Sequence, residues 1–507
     1  MATGSTIPGN PAEHRGLSYW MERVLKELEE VRTSPEPDAV HDLRVALRRC
    51  RSLAAVMEEV DPDPAWPEMR KLGRKLFRQL GELRDTQVLE EWVTKLGSAG
   101  DPVRERLLNH LAEIEKEERE AGLRAAEKFD AKAWKDHERA LRRRARVVPS
   151  NSLAGMSLAL ERMLAAKELH LHALRTEKPE PWHELRIGVK RFRYTVESLL
   201  PGLYEKWGDD LKHVQDLLGE VHDLDVLTET IARVAAEEPE EVRSAWRERI
   251  AAERQARIEE YRRVCIGPDS LWQAWKEGLP QGRRLEGAAL ARLRATARAL
   301  GATHGKTLDV SRMAMRLFEG LGRVQAGVAF EDREIRRVMR AAARLHGIGA
   351  ALHDGPPQKA ARNFLRTLAL PVGWSEEEWE LLALVVRYHR GEEPKAKHKA
   401  YARLRKEEQS ALCAMAGVLR LARVLRKFGV SSAASLQVER SVDALIVRAA
   451  GLEDTEDSAA RIAAGKHLLE SVLERPLIVQ VAPGLPKIVE LPRVAESLPT
   501  ASAAASD

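Results

Sequence analysis

Four side chains within one short stretch could do chemistry together. In HDLRVALRRCR, which begins at His41, helical spacing at 3.6 residues per turn places His41, Arg44, Arg48 and Arg51 within an arc of about 80°. HELRIGVKRFR, which begins at His183, repeats the pattern with His183, Arg186, Lys190 and Arg193. Neither face carries a carboxylate, and like charges one turn apart repel. Guanidinium groups are planar forks matched to phosphate oxygens. A row of them over several turns suits a linear anion with charge at every unit. A histidine at the head of each row can donate to phosphate or change its charge with pH. The alternative is a solvated face whose cations pair with glutamates on neighbouring helices. Downstream of the first row, Lys71, Arg74, Lys75 and Arg78 also fall on one face. The second copy keeps Lys212 and His213 there but has Asp209 and Asp216 at the other two positions.

Such rows need helices to hold them. Leu43, Leu47, Cys50 and Ala54 form an apolar stripe beside the first row, and Leu185, Val189 and Phe192 beside the second, so both segments read as amphipathic helices. A helix precedes each: LSYWMERVLKELEEVR in one case, SLALERMLAAKELHLHAL in the other. After the first row, DPDPAWP stops the helix. A third helix, EMRKLGRKLFRQLGELRDTQVLEEWVTKLG, holds Gly73 and Gly81, which mark close packing or a break. A long charged helix over 101–145 follows, then the linker VVPSNS. After the second row PGLYEKWG reads as a break, followed by a helix through LGEVHDLDVL and a charged helix that runs to Cys265. LGELRDTQVL (80–89) aligns with LGEVHDLDVL (218–227). Two repeats with nearly the same offset mean a duplicated unit. The fold class is therefore all-α: two related four-helix bundles over 15–148 and 149–277. A linker over 278–287 leads to a third, helical region over 288–484. Near its end the apolar runs DALIVRAA (443–450) and RPLIVQVA (475–482) are expected to pair as a small antiparallel sheet. Segments 1–14 and 485–507 are expected to be disordered.

Composition narrows the function. The 507 residues include 83 Lys and Arg against 78 Asp and Glu, so positive charge matters only where it gathers on one surface. Cys50, Cys265 and Cys413 are odd in number and far apart, which argues against a disulfide framework or a zinc site and for a reducing cytoplasm. No apolar run of about 18 residues exists to span a membrane. There is no phosphate-binding GxxxxGK[ST] and no GxGxxG after a strand. GMSLA and GVSSA lack the setting of a nucleophile elbow. LRRRARVV (141–148) suits the end of a helix better than a nucleic-acid contact, and the tryptophans read as packing residues.

The double pattern of His-x-Leu-Arg, further Arg or Lys one turn on, and a later Leu-Gly-Glu with Asp downstream resembles the CHAD domain, a conserved-histidine α-helical domain, over about residues 15–275. The resemblance implies two four-helix bundles related by a pseudo-twofold around a basic central cavity. It also implies binding of inorganic polyphosphate rather than catalysis. Carried to this chain, the implied lining is His41, Arg44, Arg48 and Arg51 with His183, Arg186, Lys190 and Arg193; Arg74 and Lys212 have less support. The triphosphate-processing domain with alternating Glu-x-Glu-x-Lys that precedes many CHAD domains is not found.

The region over about 285–485 resembles the helical HD-type domain that ends exopolyphosphatases and guanosine pentaphosphatases, through THGKTLDVSRMAMRLFEGL, AARLHGIGAAL and LVVRYHRGEEP. An active site of that type needs a His-Asp pair with further His and Asp to hold a divalent metal. His304 and His346 are present, but Gly347 stands where the Asp belongs, and Arg423 and Arg426 stand where Asp is expected. His353 with Asp354 could rebuild a pair away from the family position. The expectation is a degenerate remnant with no metal, no cofactor and no catalytic residue, serving as a further anionic-ligand or protein-docking surface. The alternatives are metal-dependent hydrolysis of polyphosphate or a guanosine polyphosphate by this domain and, more weakly, nucleic-acid binding by the basic helices. The expected location is the cytoplasm, on polyphosphate granules.

Overall fold

The structure, a computed structural model, describes residues 16–34, 36–352 and 354–482; most of the two terminal segments expected to be disordered lies outside the described residues. Two compact units emerge. One holds the chain up to Leu308 together with Arg337–Gly391, the other Asp309–Arg336 together with the chain from Glu392 onward. Among the described residues no helix is long and apolar enough to cross a membrane, and all three cysteines are buried and unpaired.

The first unit opens with α1 (Leu17–Thr33), α2 (Pro37–Met57), α3 (Ala65–Leu72), α4 (Arg74–Leu96), α5 (Pro102–Glu127) and α6 (Ala131–Arg144). It repeats the plan with α7 (Leu153–Ala173), α8 (Pro179–Leu199), α9 (Pro201–Val234) and α10 (Glu240–Cys265). The two His–Arg segments are α2 and α8. Each enters with proline in its first turn and an acid beside it, Asp38 or Glu180, where the missing N–H costs nothing and negative charge suits the helix N-terminus. Leu43, Leu47, Cys50 and Ala54 are fully buried, as are Leu185, Val189 and Phe192, so the apolar stripes read from the sequence face the core.

Three local readings change. The expected third helix divides at Gly73 into α3 and α4; a Cβ there would stand 3.3 Å from the ring of Trp134, which is why the position suits glycine. The long charged helix is two helices, divided at Asp130, whose carboxylate accepts from the N–H of Ala133 and caps α6. PGLYEKWG is not a break: Pro201 occupies the first turn of α9, and the helix runs through it. The tryptophans act as packing residues, with Trp66, Trp134, Trp182, Trp246, Trp272 and Trp275 all fully buried.

The two bundles meet through α2 against α8 and through α9 against α4 and α5. Two apolar clusters flank the join. A large one gathers α1, α2 and α4 with α7 to α9; a smaller one gathers Trp92, Val93 and Leu107 with Leu224, Leu227, Ile231 and Trp246. The passage read as a linker is helical from Arg283. After α11 (Leu271–Gly278), helix α12 (Arg283–Ala299) packs on α7, and the buried Arg292 donates to Glu161 at 2.7 Å. α13 (Gly305–Arg323) and α14 (Arg333–Leu345) each run from one unit into the other, and α15 (Pro357–Leu365) and α16 (Glu376–Tyr388) pack together in the first.

The second unit holds α17 (Lys399–Ala402), α18 (Lys406–Lys427), β1 (Leu436–Arg440), β2 (Leu445–Ala450), α19 (Glu456–Glu470) and β3 (Leu477–Ala482). Strand order is β1-β2-β3. β2 pairs with β1 antiparallel but with β3 in parallel, Leu445 opposite Leu477. The expected antiparallel pairing of β2 with β3 is therefore incorrect, since α19 serves as a crossover that returns the chain in the same direction. Phe192→Ala, deep in the larger cluster, is expected to cost about 3–5 kcal/mol, read as a lowered denaturant midpoint at unchanged slope; Glu184→Ala, on the exposed side of α8, is expected to stay within about 0.5 kcal/mol of the parent.

Candidate functional site

Because α2 packs on α8, their basic rows face a common space between the bundles. A cavity of about 520 Å³ takes Arg44 and Arg48 from α2, Arg186 and Lys190 from α8, and Arg84 from α4. Four carboxylates also line it: Glu91 accepts from Arg84 at 3.1 Å and Glu220 from Arg257 at 2.7 Å, while Asp216 and Asp223 make no ion pair among the described residues. An adjoining cavity of about 250 Å³ shares Arg48, Phe77, Lys190 and Tyr194 with the first. Its other cations are Arg51, Arg70, Arg162 and Arg191, and no carboxylate lines it.

Aromatic plates hold the guanidinium groups. Arg48 lies 5.5 Å over Tyr194 and Arg51 lies 5.0 Å over Phe77, contacts that favour the cation by ring electrostatics. Arg48 makes no ion pair among the described residues, and its buried Nε has no hydrogen-bond partner there. Arg44 donates to the carbonyls of Leu80 and Gly81 at 3.3 and 3.2 Å and stands 3.8 Å from Asp85. Burial lowers the pKa of Arg44 and of Arg51; Arg70 and Arg74 add to the effect at Arg51, while Asp85 opposes it at Arg44. Lys190 is pushed down to about 8, first by burial and then by Arg186, Arg48 and Arg44. Asp223, in the repeat position of Asp85, is pushed up to about 6 by burial against the pull of Arg186.

The two histidine heads differ. His183 Nδ1 lies 3.3 Å from His222 Nδ1, and burial, then Arg186, His183 and Lys190, push His222 down to about 4. His41 is exposed and borders only a small pocket with Arg44 and Arg84. Arg193 donates to the hydroxyl of Tyr204 at 3.4 Å and lies 5.9 Å over Tyr194, at the edge of the groove. The structure does not bring the remaining expected residues to the groove. Lys71 sits on α3 and Arg74, Lys75 and Arg78 on α4; all four are exposed and line neither cavity, because the break at Gly73 divides the row and Leu76, Leu80 and Leu83 take the inward face. Arg78 pairs with Glu82 instead. Lys212 and His213 are likewise exposed, and His213 lies 3.3 Å from Glu260. Sequence reading missed Tyr194, Phe77, Arg162, Arg191 and His222. The repeat alignment held one signal, since it sets His222 opposite Arg84 and Asp223 opposite Asp85.

The expected metal-site remnant presents a different environment. His346 and His389 are buried edge to face, 5.5 Å between ring centres, and each points Nδ1 at a carbonyl oxygen, Ala343 at 2.9 Å and Val386 at 2.6 Å. His304 is exposed beside Thr303, and His353 lies outside the described residues. In the second unit Arg426 donates to Asp309 at 2.9 Å, which fills a carboxylate with a cation of the protein itself. No three His, Cys, Asp or Glu side chains converge among the described residues, so the residues present do not fit a divalent metal.

Residues 17–232 match the CHAD domain family model, and residues 298–447 match domain III of the Ppx/GppA phosphatase family. The chain carries a CHAD domain fused to a Ppx/GppA domain III. Its all-α body with a small terminal sheet agrees with that assignment. The crystal structure of the CHAD domain from the plant Ricinus communis is similar at 21% identity, over 53% of this chain and 90% of that chain, with a TM-score of 0.34. No curated protein matches the chain. The CHAD match covers both basic rows, α2 and α8.

The lowered Lys190 pKa has a thermodynamic sign. Its folded value, about 8, lies below the ordinary lysine value of 10.5, so between these pH values the unfolded chain binds more protons and stability rises with pH. The cost of burying the ammonium is fully present below pH 8 and is relieved as pH rises through the window. Denaturant unfolding at pH 7.5 and 9.5 is expected to show that the stability gain on raising pH is larger in the parent than in Lys190→Met.

Proposed function

We propose that the protein binds inorganic polyphosphate, without hydrolysing it, in the groove between the two CHAD bundles. The observation that carries this reading is the carboxylate-free cavity lined by Arg48 and Lys190, two half-buried cations that make no ion pair among the described residues. Burying cations in this way is unfavourable until an anion arrives. A polymer with one charge per unit can meet Arg44, Arg48, Arg186, Lys190 and Arg51 in succession, each through charge-assisted hydrogen bonds. The polyphosphate-related domains fused in this chain point the same way.

Nucleic acid suits the groove less well. Single strands are held by bases stacked on aromatic faces, and here Tyr194 and Phe77 already carry Arg48 and Arg51. The hydrolase reading is opposed by the Asp309–Arg426 pair, which occupies a carboxylate with a cation of the protein itself. Domain III then serves as a docking or secondary binding surface, and attachment to polyphosphate granules follows from the groove.

Titration calorimetry with long-chain polyphosphate at two salt concentrations tests the reading. Affinity is expected to fall steeply with salt, as it does when a polyanion releases counterions. Arg48→Glu with Lys190→Glu is expected to abolish binding while the circular dichroism spectrum stays helical; parent-like affinity in that variant would sink the proposal. No phosphate is expected to be released on adding manganese, and release would hand the function to domain III.

A further inference from the structure

The basic track along α2 and α8 has an end. From the histidine-bearing turns it runs through Arg44 and Arg186, then Arg48 and Lys190, into the smaller cavity. Beyond that cavity the helices turn acidic. On α2 the residues after Val56 and Met57 are Glu58 and Glu59; Glu58 accepts from Arg70 at 2.6 Å and Glu59 pairs with Arg162. On α8 the next charged residue after Arg193 is Glu197, which is paired with Arg49 of α2. A polyanion that continued past the cavity would run into these three carboxylates. One that stops inside it would not.

The charge of the cavity suits a stop. Arg48, Arg51, Lys190 and Arg191 surround about 250 Å³ with no lining carboxylate, joined by Arg70 and Arg162, which are paired with Glu58 and Glu59 outside it, and Ser52 adds a hydroxyl. An internal unit of a linear polyphosphate carries one negative charge, whereas a terminal phosphoryl group carries between one and two near neutral pH, with three oxygens free to accept. The densest cationic site on the track therefore stands where the track closes, and it favours the most highly charged unit of the ligand.

Resting on the reading of the groove given above, we infer that this cavity is a subsite for the terminal phosphoryl group of the chain, so that the protein recognises polyphosphate ends. Arg162, which lies outside the repeated motif on α7, and Arg191, which sits within it beside the row of His183, Arg186, Lys190 and Arg193, give the subsite its selectivity; Arg191 is exposed enough to be replaced without disturbing the core.

The test compares two forms of one polyphosphate preparation, with free ends and with both ends capped as phosphoramidates, binding to the full-length protein at pH 7.5. The free-ended chain is expected to bind about tenfold more tightly, the worth of one additional charge-assisted contact, and to saturate in proportion to the concentration of ends rather than of phosphate units. Arg191→Met, and separately Arg162→Met with Arg191→Met, is expected to bring the two forms within about threefold of each other. Equal affinity of the parent protein for capped and free chains would overturn end recognition while leaving groove binding in place. Failure of both forms to bind would remove the groove reading and this inference together.

Discussion

Two rows of cations set face to face between α2 and α8 are the arrangement on which the rest of the first unit depends. Arg48 and Lys190 approach one another without an acid between them, and the depressed pKa of Lys190 registers the cost. Such an interface does not form by itself. It is held from both sides, by the larger apolar cluster around Leu43, Leu47 and Phe192 and by the smaller one around Trp92 and Trp246. Ion pairs between the bundles add direction: Arg49 with Glu197, Arg162 with Glu59, and Lys95 with Glu253 at 3.0 Å. Removing partners from such pairs costs more than the pairs contribute, so they fix the register of the two bundles more than they stabilise it.

The duplicated unit explains why the rows oppose each other, and its departures from symmetry explain where the groove differs from end to end. Arg44 and Arg186 keep equivalent positions, each within the field of an equivalent aspartate, Asp85 or Asp223. Tyr194 has no aromatic counterpart in the first copy, where Ser52 stands; instead Phe77 from α4 supplies a plate for Arg51. His222 replaces Arg84 and sets its Nδ1 3.3 Å from that of His183, with its own pKa pushed down to about 4 by burial and then by Arg186, His183 and Lys190. One copy thus presents a guanidinium where the other presents an imidazole held uncharged by its surroundings, and the potential along the track is unequal as a result.

How much of this was legible in the sequence follows from which features are local. Helical period and apolar stripes identified α2 and α8, their inward residues and the duplication, because those depend on neighbours one turn away. The residues that shape the cavity, Tyr194 and Arg191 on α8, Phe77 on α4 and Arg162 on α7, come from three helices whose meeting depends on packing. Lys71, Arg74, Lys75 and Arg78 share a face only if the helix is continuous, and it divides at Gly73. The same contrast explains the sheet. Strand character in LIVRAA and LIVQVA is a property of each run, whereas parallel pairing is set by the crossover through α19.

In domain III the Asp309 carboxylate is met by Arg426, and His346 and His389 each direct Nδ1 at a backbone carbonyl oxygen. Just ahead of the matched region, α12 packs on the CHAD body, where Arg292 is buried against Glu161 on α7. Glu161 is adjacent in sequence to Arg162 of the cavity wall, so the turn of α7 that carries this cation to the groove is also the turn that α12 pins. A guanidinium buried on a carboxylate tolerates little displacement. The fusion therefore does more than tether two modules: it braces the wall of the groove from behind and ties the position of Arg162 to a helix that lies beyond the two bundles.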